Sequence, residues 1–174
     1  MPHPRWFLSM LLAAVLLATA CEPTGAPDCR DPGFHWTNDR PAINARHVFC
    51  GEVRKGKPRG FHSTRLRDTS PVVTAVRGIS RSADGIYTGM VVFKDGQTKF
   101  STFFPDACTV DQVLASIRHA STHISGDHPA WGQLGPSAPA SSADGFCLDH
   151  RGQAFPIRMG LFDDGRVNTA FPSP

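Results

Sequence analysis

His47 and His62 stand fifteen residues apart in the segment HVFCGEVRKGKPRGFH. Gly60 lies just ahead of the second histidine, and Arg54, Lys55, Lys57 and Arg59 lie between the two. Imidazole titrates near neutrality, so one ring can take a proton while another gives one. Further along, Lys99 adds a positive charge. Two imidazoles and an ammonium suit attack by a hydroxyl on a neighbouring phosphodiester. That reaction needs a base for the hydroxyl proton and an acid for the departing oxygen. It also needs a cation or N–H donor for the charge that builds on phosphorus. In RNA the attacking group is the ribose 2′-OH. Protein groups suffice for all three tasks, so no metal and no cofactor is expected.

Other residues compete for these roles. Lys94 precedes an Asp95-Gly96 turn and reads as a solvated turn residue, which leaves Lys99 as the expected lysine. His119 and His123 are spaced i, i+4, as a metal pair on a helix would be, and His128 is a candidate third ligand. No H-E-x-x-H or C-x-x-C accompanies them, so a solvated helix face is the expectation and no metal site is assigned. The basic run reads either as a solubilising loop or as a track for RNA phosphates.

The elements that must position these groups are legible as hairpins and one helix. Val72 to Arg77 and Gly85 to Phe93 read as strands, Asp95-Gly96 as a turn, and Thr98 to Phe104 as the returning strand. Thr109 to His123 reads as a helix, with Val110, Val113, Leu114 and Ile117 at helical spacing and Thr109 as N-cap. Gly132 to Gly145 reads as a loop. A second hairpin follows, Phe155 to Phe162 and Val167 to Phe171 about an Asp164-Gly165 turn. The two hairpins echo each other, each ending in Phe-Pro, and are candidates for the two halves of one cleft. Hairpin-joined strands imply antiparallel sheets and an α+β fold. Alternation puts Gln97, Lys99 and Ser101 on one strand face and Phe100 with Phe104 on the other, toward the expected core. It likewise groups Val167, Thr169 and Phe171.

The 174 residues allow one domain with a real core. With 40 % hydrophobic and 19 % charged residues the chain is globular in composition, and 16 Gly and 15 Pro announce many turns. A net charge of +3 suits an anionic partner without naming one. Arg5, the apolar run Trp6 to Leu17, and the small residues Ala18, Thr19 and Ala20 ahead of Cys21 read as an export signal over residues 1–20. The stretch resembles a bacterial lipobox, although Ala18 stands where Leu is usual. Cys21 is therefore the expected lipidation site, with residues 21–40 as tether and loop and the bacterial outer membrane or cell surface as the expected location. A periplasmic or secreted product is the alternative. Lipidation of Cys21 leaves Cys29, Cys50, Cys108 and Cys147 for two disulfides, with three pairings open.

Three segments carry a resemblance. His47, Val48, Phe49, Cys50, Gly51, Glu52 with Gly60, Phe61, His62 is the first. Lys99, Phe100, Ser101, Thr102, Phe103, Phe104, Pro105 is the second, and Thr169, Ala170, Phe171, Pro172 is the third. In this order they resemble the EndoU endoribonuclease family, its bacterial branch above all. The resemblance implies a nuclease domain over residues 41–174. Its fold would be α+β, two small antiparallel sheets flanking a catalytic cleft with helices outside, as in pancreatic-ribonuclease-like proteins. It implies His62 as general base, His47 as general acid, Lys99 near the scissile phosphate and Thr169 as a selector of uracil. Gly60 would offer its N–H to the phosphate. Phe171 stands where the family usually has Tyr, so it can stack on substrate but cannot donate a hydrogen bond. RNA is the implied partner, and a cognate immunity protein would accompany a toxin role. A lipoprotein that keeps the fold as an RNA- or protein-binding module is the alternative.

Overall fold

A computed structural model describes residues 27–126 and 131–173. The export signal, Cys21 with the start of its tether, and His128 lie outside the described residues. Residues 27–40 are loop, as expected, and a Cys29–Cys50 disulfide staples them to the body of the protein.

A short helix, α1 (Ala45–Phe49), opens the regular structure. Asn44 caps it, its side-chain oxygen accepting from the His47 N–H at 3.1 Å. Two short strands, β1 (Glu52–Arg54) and β2 (Lys57–Arg59), form a hairpin whose exposed end carries the basic run. Strands β3 (Val73–Arg81), β4 (Tyr87–Phe93) and β5 (Thr98–Phe103) make an antiparallel sheet in that order. Helix α2 (Val110–Thr122) follows, closed at its start by a reciprocal box between Thr109 and Gln112. Strands β6 (Gln133–Pro136), β7 (Pro156–Leu161) and β8 (Val167–Pro172) make a second antiparallel sheet, with α2 packed across β6 and β7.

The architecture is α+β, with two three-stranded antiparallel sheets and a third of two strands. Each large sheet has its own core. Ile43, Val48, Phe49, Val113, Ile117, Ile157, Met159 and Ala170 belong to the first, together with all four described cysteines. These pair as Cys29–Cys50 and Cys108–Cys147. Phe61, Val73, Tyr87, Val91, Phe93 and Phe103 form the second. The edge strands β5 and β8 approach each other, so a seam runs between the cores.

Three expectations need correction. The stretch 132–145 is not all loop, because Gln133–Pro136 pairs with β7. Those four residues contain Gly and Pro and no apolar alternation, so only backbone pairing reveals them. Phe100 does not enter the core: it is 62 % exposed. In register, Lys99, Ser101 and Phe103 lie opposite Val91, Gly89 and Tyr87, which are buried, so the odd-numbered face of β5 is the inward one. Val167 does not share a face with Thr169 and Phe171. A register shift after Gly160 turns it into the core beside Ala170.

Candidate active site

The two histidine segments are zipped together by backbone. Phe61 N–H donates to the His47 carbonyl at 2.8 Å, and His62 N–H donates to the Val48 carbonyl at 2.6 Å. Gly60 makes this approach feasible. Its φ is +69°, and a Cβ there would run into the His47 carbonyl oxygen. Gly60 therefore acts on the backbone of α1, and it is not among the residues that line the cleft. Val48 and Phe49 anchor one histidine segment in the first core and Phe61 anchors the other in the second. The imidazole centroids end 6.0 Å apart.

The rings differ in their partners. His47 is 7 % exposed, and its Nδ1 lies 2.8 Å from Glu52 Oε1. The carboxylate accepts from Nδ1 and leaves Nε2 for the cleft. The hydrogen bond from His47 holds Glu52 below the usual carboxylate range, with the charges of His47, Arg54 and His35 adding to it. His62 is 5 % exposed, and its Nδ1 lies 3.0 Å from the Thr102 carbonyl and 3.1 Å from Ser101 Oγ. A carbonyl only accepts, and Ser101 Oγ donates to the Phe61 carbonyl at 2.8 Å. Nδ1 must then carry the proton, and Nε2 is left with a lone pair. Burial, then the charges of Lys99 and His47, push the His62 pKa well below that of free histidine.

Lys99 donates from Nζ to Ser101 Oγ at 3.1 Å, and burial pulls its pKa down to about 8. Ser101 thus serves the lysine and the second histidine at once. Across the seam, Thr169 and Phe171 project from β8. Phe171 stacks on the His62 ring, centroids 4.9 Å apart and planes 22° apart. One cleft of about 370 Å³ is lined by His47, His62, Lys99, Thr169 and Phe171, and also by Phe100, Ser101, Thr102 and Trp131.

A family model for the bacterial EndoU nuclease matches residues 42–173. The chain belongs to that family. No curated protein and no solved structure matches it. Its cleft gathers from three distant segments five side chains that the EndoU resemblance singled out, His47, His62, Lys99, Thr169 and Phe171.

Sequence reasoning did not single out Glu52, Ser101 or Trp131 for a role in this EndoU cleft. Glu52 and Ser101 lie inside the recognised motifs, and their contacts depend on side-chain direction, which spacing does not disclose. Trp131 stands in a stretch without periodicity, and only its ring contact with Phe171, centroids 5.7 Å apart, reveals it. His119 and His123 stack on the helix with centroids 4.0 Å apart, away from the cleft. Among the described residues no group of three or more His, Cys, Asp or Glu side chains is gathered as metal ligands would be.

Proposed function

We propose that the protein is an endoribonuclease that cuts single-stranded RNA 3′ to uridine by transphosphorylation, leaving a 2′,3′-cyclic phosphate. The observation that carries this reading is the pair of buried imidazoles on one cleft, each held through Nδ1 with Nε2 free, His47 against a carboxylate and His62 against a carbonyl. His62, neutral and with its Nε2 lone pair free, takes the 2′-OH proton. The 2′-oxygen then bonds to phosphorus. His47 gives a proton from Nε2 to the 5′-oxygen as the P–O5′ bond breaks. Lys99 faces the negative charge of the phosphorane, and Thr169 with Phe171 holds the uracil nucleotide. Protein groups cover every proton and charge, so the reaction as proposed needs no metal. A complete set of proton-transfer groups favours turnover over a binding module.

A short oligoribonucleotide with a single uridine, digested with and without EDTA and weighed, tests the reading. Equal cleavage in both and a cyclic-phosphate product are expected. A 3′-hydroxyl product, loss of all activity in EDTA, or cleavage after 2′-deoxyuridine would exclude the mechanism. His62→Ala and His47→Ala should each cost about 10²–10⁴-fold in kcat, since that is what a positioned proton-transfer group contributes.

The same proposal places the enzyme outside the cytoplasm on a lipid anchor at Cys21. The apolar run ahead of Cys21 supports it, as does the cysteine count, since the other four close two disulfides. Mass spectrometry of the membrane fraction should find lipid on Cys21, and Cys21→Ser should leave the membrane. Retention of that variant refutes the anchor.

A further inference from the structure

Trp131 is an exposed aromatic side chain on the wall of the cleft. It is 49 % exposed, and it lines the same cleft as the two histidines. It ends a row of ring contacts that starts at His62. Phe171 stacks on His62 at 4.9 Å, and Trp131 meets Phe171 at 5.7 Å with a tilt of 44°. The inner part of the row belongs to the nucleotide that reacts. Trp131 is its outer end, and half of its surface still faces water.

The surroundings of the ring are built to keep it open. Gly160 on β7 faces Thr169. A Cβ there would lie 3.1 Å from Thr169 Cγ2 and 3.9 Å from Trp131 Cζ3, so the space between indole and threonine holds no side chain. Two residues earlier on the same strand, Arg158 pairs in register with Phe171, and its guanidinium carbon lies 5.7 Å from the indole centroid. Its Nε is buried without a hydrogen-bond partner, and among the described residues Arg158 has no carboxylate partner. On the β5 rim, Phe100 offers a second exposed aromatic surface. Flat apolar rings beside a cation without a counter-charge match the two parts of a nucleotide, a base that stacks and a phosphate that is negative.

We propose that Trp131 is the stacking platform of a second nucleotide subsite, holding the base next to the reacting uridine while Arg158 faces that neighbour's phosphate. The proposal rests on the ribonuclease reading for the identity of the polymer. A base stacked on an aromatic side chain typically strengthens binding by about 5- to 150-fold. The enzyme would then read a short stretch of single strand and prefer oligonucleotides to a lone uridine nucleotide.

The probe is a synthetic tetranucleotide with 2′-deoxyuridine at the cut position, which cannot react, and its versions with each flanking base removed in turn. Affinity is measured by fluorescence anisotropy for the wild type, Trp131→Ala and Trp131→Phe. Removing one flanking base should weaken wild-type binding roughly 10-fold or more, cost Trp131→Ala almost nothing, and retain most of its effect in Trp131→Phe. Equal penalties in wild type and Trp131→Ala would overturn the proposal, and so would failure of the wild type to bind the probe. If Trp131→Ala is misfolded by circular dichroism, Trp131→Leu, which fills the space without a ring to stack on, and Arg158→Gln decide. An unchanged flanking-base penalty in the first, with unchanged affinity in the second, overturns the subsite. Cleavage of the matching ribouridine tetramer reports separately on the chemistry. Cutting without any Trp131 dependence sinks the subsite alone. Trp131-dependent binding without cutting sinks the nuclease mechanism and leaves the subsite standing.

Discussion

His62 donates from Nδ1 to a backbone carbonyl, which only accepts, and this leaves Nε2 as an acceptor; His47 donates to a carboxylate. In the proposed mechanism these environments suit His47 to the acid role and His62 to the base role. Glu52 is a positioning residue in this scheme. Glu52→Gln can still accept from the His47 ring but brings no charge. It should lower kcat with little change in KM, which steady-state kinetics would show. Lys99 makes a pH prediction with a definite sign. The burial that lowers its pKa to about 8 means that the cation is lost as pH rises through that value, so kcat/KM should fall there. Lys99→Arg does not titrate in this range and should move that limb upward in a pH–rate profile. Stability runs the other way. Between about 8 and the ordinary lysine value of 10.5 the unfolded chain binds more protons at this site, so the folded state gains as pH rises. Urea midpoints across that window should rise more steeply for wild type than for Lys99→Met.

At the scale of elements, the contact of α1 with the segment after β2 decides whether the two imidazoles meet. Gly60→Ala places a Cβ against the His47 carbonyl at a left-handed φ. The backbone conformation alone costs about 1–2 kcal/mol, and the collision adds to it. A lower urea midpoint together with reduced kcat is the expected outcome. The β1–β2 hairpin makes a separable prediction. Replacing Arg54, Lys55, Lys57 and Arg59 by Gln should flatten the salt dependence of KM for long RNA while sparing kcat, if phosphates run along it. Sequence patterns revealed the long hairpins, the D-G turns and α2 with its Thr109 cap, because each has a local cause. Helix α1 escaped notice because five residues hold too little periodicity, and its stability comes from Asn44 and the core. The inward face of β5 was misassigned for a related reason. An edge strand beside a cleft can turn a lysine and a serine inward and leave Phe100 in solvent, and alternation alone does not tell which face is which. His47, His62, Lys99, Thr169 and Phe171 were legible through the resemblance of their motifs to the EndoU family. Trp131 was not, because its role depends on β6 bringing it alongside β7.

In the whole molecule the two covalent links are unevenly placed. Cys29–Cys50 spans 21 residues and Cys108–Cys147 spans 39, and all four cysteines lie in the first core. Each link should contribute about 3–4 kcal/mol by restricting the unfolded chain. Reducing agent should therefore lower the denaturation midpoint strongly. The sheet β3–β5, which carries Lys99 and contains no cross-link, should be the first to exchange its amides. Hydrogen exchange by mass spectrometry checks that order, and earlier exchange of the β6–β8 sheet would contradict it.

The seam has a consequence for the cell that makes the protein. Strand β8 brings Thr169 and Phe171 to the cleft and is moored at Val167, which receives the Asn44 N–H at 2.9 Å and lies beside Ile43. His47 and the strand that carries Thr169 and Phe171 are thus more than a hundred residues apart in order of synthesis. A ribosome has translated the chain as far as β8 before the cleft can exist. Under the proposed reaction, the messenger being read and the ribosomal RNA around it meet no assembled cleft while the chain is made.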